Sequence, residues 1–414
     1  MSFIQVRGGR PLCGTLAVQG SKNAALPLLA ATLCTGKRCT LRGCPDISDV
    51  HTAIEILKAL GCAATFDRGS ATIDAGSLCC AALPPEPAGK MRASVSFLGA
   101  LVCACGEASV PLPGGCVLGA RPLDLHLSGL EALGATIDVD GSTIRCRGPL
   151  RGGTVILRYP SVGATENLLL AGCGAQGPVT ILGAAREPEI EDLAGFLNRC
   201  GADIRGAGTG HIRILRGPDR GADYRVMPDR MAAASWLCAA AAAGGEIRLT
   251  GIRPDTLAPV LTALQAAGCS VQTTDSRIWL SAGPLQAIAP VVTGPYPDFP
   301  TDAQAPLMAA LLRARGVTVF CETVFENRYR HVPALRALGA DIRVSGRVAS
   351  VRGVSRLRGA EMEATDLRGG MAMLIAALSA EGVSRIMDAQ HLSRGYEQLC
   401  EGCRRLGADV TQFT

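Results

Sequence analysis

Aromatic side chains are scarce in this chain: 2 Trp, 5 Tyr and 8 Phe make up 4% of 414 residues. So few rings argue against a platform on which single-stranded bases stack. Histidine is scarcer still, with 5 scattered residues and no HExxH, so no metal centre is expected. Cys400-x-x-Cys403 has no second half nearby and reads as one face of a helix. Long apolar runs are missing too. Met231 to Gly245 is about 15 residues and alanine-rich, short of the roughly 20 that a membrane span needs, and is expected as a buried helix. The opening MSFIQVRGGRPLCG has no apolar core of the secretory kind. A cytoplasmic, reducing setting is therefore expected, with many of the 18 cysteines standing in for Ala or Val. There is no GxxxxGK[ST], and Gly206-x-Gly208-x-x-His211 lacks the third glycine of a dinucleotide turn. The net charge of +5 is mild and spread along the chain, which suits a small anionic ligand better than DNA.

Glycine is abundant, 50 residues, and 48% of the chain is hydrophobic against 19% charged. That composition supports sizeable cores and two or three domains. One pattern recurs along the whole length: an apolar helix, a glycine, then a strand. It reads LKALGCAATF (57–66), LEALGATIDV (130–139), LNRCGADIRG (197–206), LQAAGCSVQT (264–273), LRALGADIRV (335–344) and CRRLGADVTQ (403–412). The glycines fall at 61, 134, 201, 268, 339 and 407. Leu123, Leu127, Leu130 and Leu133 share one helix face. The glycine suits the left-handed position that stops a helix, and Ala135 to Val139 alternates as a strand does. A second helix, apolar nearly all round and so expected to be buried, starts near Ser21, Met91, Ser161, Asp229, Thr301 and Asp366. These helices are expected to close on Gly36, Gly106, Gly177, Gly244, Gly316 and Gly382. Six units of about 69 residues are too long for a usual solenoid repeat. They predict two α/β lobes of three units each, residues 21–228 and residues 1–20 plus 229–414, with a cleft between them. An open array is the alternative.

Chemistry-bearing residues lie outside this repeated core. Ser21-Lys22-Asn23 opens a buried helix, where free N–H groups and a lysine favour an anion; an ordinary lysine beside a cap reads the same way. The segment PLPGGCVLGAR (111–121) is a surface loop by composition. A cysteine there beside Arg121 would be reactive, although a turn with an incidental cysteine fits the same residues. Arg92, Arg186-Glu187, Asp229-Arg230, Asp302, Arg328, Asp366-Leu367-Arg368 and Arg394 stand at corresponding unit ends. Each alone reads equally as a cap or a surface ion pair, and Asp302 in particular as a helix cap.

Taken together, SKNAALPLLAA (21–31), KMRAS (90–94), LPGGCVLGARPLDLHLSGLEALGA (112–135), PSVGATENL (160–168), AREPEI (185–190), PDR (228–230), FPTDAQ (299–304), ETVFENR (322–328), ATDLR (364–368) and RGYE (394–397) resemble one family end to end. It is the UDP-N-acetylglucosamine 1-carboxyvinyltransferase family of enolpyruvyl transferases. The resemblance implies an inside-out α/β barrel fold, two domains each of three repeated units. It implies transfer of the enolpyruvyl group of phosphoenolpyruvate to the sugar 3′-hydroxyl of UDP-N-acetylglucosamine, by addition and elimination through a tetrahedral ketal. That is the first committed step of peptidoglycan precursor synthesis, and no cofactor is implied. Carried over by position, Cys116 is the proton donor and the target of the epoxide antibiotic fosfomycin. Asp302 is the base. Lys22, Arg121 and Arg394 hold the phosphate with Asn23 beside them. Arg92, Arg121, Pro122, Leu123, Asp124, Leu125, Ser161, Val162, Gly163, Val324 and Arg328 bind substrate, and Asp366 and Arg368 line the cleft.

The match has departures. Ser48 stands where some members carry lysine, Asp298 where many have glycine, and Gly369-Gly370-Met371 where an AGA-like run is common. Two other readings are weighed. A sister transferase acting on shikimate 3-phosphate is disfavoured by the PGGC loop and the RPLDLH run. A silent UDP-sugar-binding paralogue is disfavoured by the intact set Lys22, Cys116, Arg121, Asp302 and Arg394.

Overall fold

The computed structural model describes residues 2–112 and 123–413, without the side chains at positions 90, 92 and 93. Six helices are buried because they are apolar on every side: Lys22–Thr35, Ser96–Cys105, Val162–Gly172, Arg230–Ala243, Thr301–Ala310 and Leu367–Ser379. In the first, every residue from Ala24 to Leu33 is buried. Leu28, Leu29 and Leu33 are almost fully buried, and each stabilises the fold by about 2 kcal/mol. Four of the six starts are capped by a side chain, Ser21, Ser161, Asp229 and Asp366. The second helix departs from expectation: Met91 precedes a short 3-10 turn, Arg92–Val95, and the α-helix proper begins at Ser96.

The glycine stops hold for half of these helices. Gly36, Gly106 and Gly244 are the C-caps. The other three helices end earlier, at Cys173, Leu311 and Ala380. Leu311 tightens into a 3-10 turn and Ala380 turns extended, so Gly177, Gly316 and Gly382 fall in the link to the next strand. The other class of glycine is uniform. Gly61, Gly134, Gly201, Gly268, Gly339 and Gly407 follow the outer helix of each unit with φ of 96, 103, 100, 107, 97 and 90°. An L-residue is strained there, which is why the repeat keeps glycine.

Five of these glycines lead into a hairpin, as in Ala63–Asp67 paired antiparallel with Ser70–Asp74, and Gly407 leads into Asp409–Phe413, whose antiparallel partner is Phe3–Arg7. The strand that follows the buried helix joins next, here Arg38–Arg42. A parallel strand completes the sheet, here Asp223–Arg225. Among the described residues, five four-stranded sheets keep this order. The sixth has three strands, with one parallel bridge, Ala82 to Ser109, in the fourth place. Two sheets take a strand from the N-terminus. Leu12–Ala17 runs parallel to Gly245–Thr250. Phe3–Arg7 lies between Val383–Met387 and Asp409–Phe413, antiparallel to both.

Among the described residues the chain forms two compact units. One runs from Gly20 to Met227; the other joins 2–19 to 228–413. Each has its own apolar core. In the first, Lys22–Thr35, Ser96–Cys105 and Val162–Gly172 pack together; in the second, Arg230–Ala243, Thr301–Ala310 and Leu367–Ser379 do so.

Candidate functional site

In the unit 20–227, Lys22 is the first residue of its helix, placed there by the Ser21 cap. Its ammonium lies 2.7 Å from Asp49 Oδ2, with side-chain exposures of 13% and 6%. A lysine so enclosed is a fixed point charge. Asn23 is exposed beside it on the same first turn. Ser161 caps Val162–Gly172 by accepting from Ala164 N at 3.3 Å, so Val162 and Gly163 form a second helix start. Beneath it, Gly99 N donates to Asn167 Oδ1 at 2.5 Å, which orients the amide. Asn167 Nδ2 therefore donates to His126 Nδ1 at 3.0 Å, and that ring nitrogen carries no proton. A Cβ at Gly163 would lie 3.2 Å from His126 Cε1, so a side chain there would press on the ring.

Leu123 and Leu125 are half-buried at the start of Asp124–Ala132. Asp124 is paired with Arg158 at the surface. Glu166, Glu187 and Glu189 are all buried. Burial, then Glu189 and Glu187, push the Glu166 carboxyl up to about 8, with the Ser96 hydrogen bond opposing. Cys116, Arg121, Pro122 and the Arg92 side chain lie outside the described residues.

In the other unit, Asp302 sits in the first turn of Thr301–Ala310, after Pro300 at the cap position. The cap reading is therefore corrected: the carboxylate accepts from arginines rather than from its own helix. Arg328 Nη2 donates to Oδ1 at 3.0 Å, and Arg368 Nε and Nη2 donate to Oδ2 at 3.2 and 3.0 Å. Arg328 also donates to the Thr301 carbonyl through Nε and Nη2. The Arg328 side chain is 2% exposed and that of Arg368 5%, against 28% for Asp302. Burial works against the charged Arg368, yet Asp302, Tyr396 and Asp229 outweigh it and hold its proton more firmly than usual. The one member of this group that meets solvent is thus the carboxylate.

The neighbouring residues frame it. Thr301 Oγ1 donates to Glu322 Oε2 at 2.9 Å, while Glu322 Oε1 accepts from Val324 N and Phe325 N. Val324 is thereby fixed beside the helix start. Asp366 accepts from Arg368 N and Gly369 N at 3.0 Å, so it is a helix cap. A Cβ at Gly369 would lie 2.9 Å from Asp366 Oδ2 and 3.2 Å from His331 Cβ, so the GGM departure leaves room for this packing. Burial lowers the His331 imidazole to about 4. Arg394 ends a 3-10 turn, Ala389–Arg394, and is half-buried.

Sequence reasoning gave no role to three residues. Asp49, next to the noted Ser48, lies in the first turn of the helix Ser48–Ala59. Glu322 opens the ETVFENR run but drew no reading of its own. Gln19 brackets the Arg394 turn: its Nε2 donates to Gly395 O at 3.0 Å and its Oε1 accepts from Glu397 N at 2.9 Å. A separation of more than 370 residues leaves no local signal of that contact.

Residues 6–402 match the family described as EPSP synthase (3-phosphoshikimate 1-carboxyvinyltransferase). The UDP-N-acetylglucosamine 1-carboxyvinyltransferase 2 of Carboxydothermus hydrogenoformans is 44% identical over all of both chains. The UDP-N-acetylglucosamine 1-carboxyvinyltransferase of Zymomonas mobilis is 45% identical over 99% of each. Among solved structures, the enolpyruvyl transferase NikO from Streptomyces tendae superposes with a TM-score of 0.90 at 27% identity, over 100% of this chain and 99% of that one. EPSP synthase from Acinetobacter baumannii gives 0.75 at 19% over the whole of both, a likeness of fold.

Proposed function

The chain belongs to the enolpyruvyl transferase family that includes EPSP synthase, and from that premise we propose that its reaction moves the enolpyruvyl group of phosphoenolpyruvate onto the 3′-hydroxyl of UDP-N-acetylglucosamine, releasing phosphate. The observation that carries the choice of acceptor is end-to-end identity of 44 and 45% with relatives named for UDP-N-acetylglucosamine. The EPSP synthase structure shares 19%.

The residues suit the chemistry. Phosphoenolpyruvate is a dianionic phosphate joined to a carboxylate. Lys22 is a preset cation at a helix start, and Arg121 and Arg394 add guanidiniums suited to planar anions. Asn23 can donate to the same phosphate. Asp49 orients Lys22 and moderates its charge, so that phosphate can also leave. Cys116 delivers a proton to the methylene carbon, which makes the adjacent carbon electrophilic. Asp302 takes the proton of the attacking hydroxyl; the two buried arginines fix the plane of its carboxylate. Arg92, Pro122, Leu123, Asp124, Leu125, Ser161, Val162, Gly163 and Val324 hold the UDP-sugar. Loss of phosphate from the ketal, with a methyl proton returned to the protein, gives the enolpyruvyl ether.

This reading places the protein in peptidoglycan precursor synthesis, hence in cell shape and division, and in the cytoplasm. No helix among the described residues is long and apolar enough to cross a membrane. The test is phosphate release from phosphoenolpyruvate with UDP-N-acetylglucosamine or shikimate 3-phosphate as acceptor. Release with the first alone is expected. Release with the second alone would overturn the acceptor, and release with neither would overturn the activity.

A further inference from the structure

The second Arg368 contact leads away from Asp302. Its Nη1 donates to the Tyr396 hydroxyl at 3.1 Å, and the guanidinium carbon lies 5.7 Å from the centre of the same ring. The Tyr396 oxygen is 2.7 Å from Ser235 Oγ, and Ser235 Oγ donates to the Met231 carbonyl at 2.9 Å. The direction of every bond follows. Ser235 has one proton, committed to Met231, so it accepts from Tyr396. The Tyr396 proton is then committed to Ser235, and its oxygen accepts from Arg368. Ser235 is 0% exposed and Tyr396 3%, so water does not replace these partners.

The chain of bonds ties together the three buried helices of this unit. It starts on Arg230–Ala243, reaches Arg368 on Leu367–Ser379, and ends at Asp302 on Thr301–Ala310. A guanidinium held only through Nε and Nη2 can swing about its own long axis. A third anchor on Nη1 fixes its plane, and with it the plane of the carboxylate it grips. Removing the Tyr396 hydroxyl leaves a buried N–H without a partner, a cost relieved only by re-aiming Arg368.

We propose that Tyr396 and Ser235 are positioning residues for the base Asp302, acting through Arg368 without touching substrate. The proposal rests on the enolpyruvyl-transfer reading. It explains why an apolar helix as buried as Arg230–Ala243 carries a serine facing a tyrosine from far along the chain.

The test is steady-state kinetics and the pH profile of kcat for Tyr396→Phe and Ser235→Ala, with active fraction measured. Tyr396→Phe is expected to lower kcat by about 10- to 100-fold while each KM stays within about twofold. The acid limb of the profile moves to higher pH, because a loosened Arg368 favours the ionised base less. Ser235→Ala shifts both quantities the same way and by less, and it decides the matter if Tyr396→Phe does not fold. Unchanged kcat and an unmoved limb would overturn the proposal. So would a fall in rate matched by a fall in active fraction with the limb in place, since that is the mark of a structural role. An inert wild type would refute the functional reading and the proposal with it; an active wild type with indifferent variants refutes the proposal alone.

Discussion

Asp302 shows why residue identity is not yet residue role. Its position after Thr301 read as a possible cap, whereas Arg328 and Arg368 claim both its oxygens. Arg328→Met removes the donor to the Thr301 carbonyl and to Asp302, which keeps Arg368 and some solvent, and is expected to cost about 1–2 kcal/mol. A denaturant midpoint equal to wild type would show the pair to be dispensable. Glu166 makes a pH prediction. The folded protein keeps its proton up to about pH 8, whereas an unperturbed carboxyl loses it near 4.5. The native state therefore binds more protons between those values. Stability from this group is full below about 4.5, falls as pH rises toward 8, and does not return above it. Glu166→Gln should lack that loss. Urea unfolding of both at pH 5 and pH 8.5 checks it, and a wild type that gains on the variant with rising pH contradicts it. The thiols give a third. Burial pushes Cys44 up to about 12 and Cys62 and Cys146 to about 11, so they are poor nucleophiles. Cys13 and Cys79 are exposed and can react with a general alkylating agent. If Lys22, Arg121 and Arg394 hold phosphate as proposed, they steer fosfomycin as well, and it is expected to leave one adduct, on Cys116, and faster with UDP-N-acetylglucosamine present. Peptide mass spectrometry locates it; an adduct at Cys13 or Cys79 instead would break the assignment.

Elements were legible where the chain repeats a physical constraint. The six glycines after the outer helices all take a left-handed φ, so their spacing placed helix ends and the starts of the following strands. The second set was legible at Gly36, Gly106 and Gly244. It misled at Gly177, Gly316 and Gly382: those helices stop first, at Cys173 in a turn, at Leu311 in a 3-10 turn and at Ala380 in an extended residue. The two kinds of cost at a conserved geometry can be separated. A Cβ on Gly339 meets only Arg356 O, at 3.9 Å, so Gly339→Ala carries backbone strain of about 1–2 kcal/mol. A Cβ on Gly268 would lie 2.7 Å from Pro284 O, so Gly268→Ala carries strain plus a clash and should lose more. Thermal unfolding ranks the two, and equal losses would mean that strain is the whole effect. Capping was legible in type, since Ser21, Ser161, Asp229 and Asp366 all cap. Partners across the fold were not: Asp49 for Lys22, Tyr396 for Arg368 and Gln19 for the Arg394 turn depend on packing that no local spacing encodes.

For the whole molecule, the scarcity of aromatics and the mild charge argued against a nucleic-acid surface, and the six-fold period pointed to six like helix-and-sheet units. The identity of the reaction came from the motifs, since no pairwise spacing derives an acceptor sugar. The strand pairing adds a prediction about the N-terminus. Phe3–Arg7 sits between two strands from the far end of the chain. Deleting residues 1–8 should raise hydrogen exchange in Val383–Met387 and Asp409–Phe413 while leaving Ala63–Asp67 protected, and uniform protection would contradict the assigned pairing. The most direct measurement of the central claim is phosphate released from phosphoenolpyruvate by wild type, Cys116→Ala and Asp302→Asn, with and without UDP-N-acetylglucosamine. The account predicts acceptor-dependent release by wild type and its loss, by about 100-fold or more, in both variants. Release that ignores the acceptor, or that survives in either variant at the wild-type rate, would contradict it.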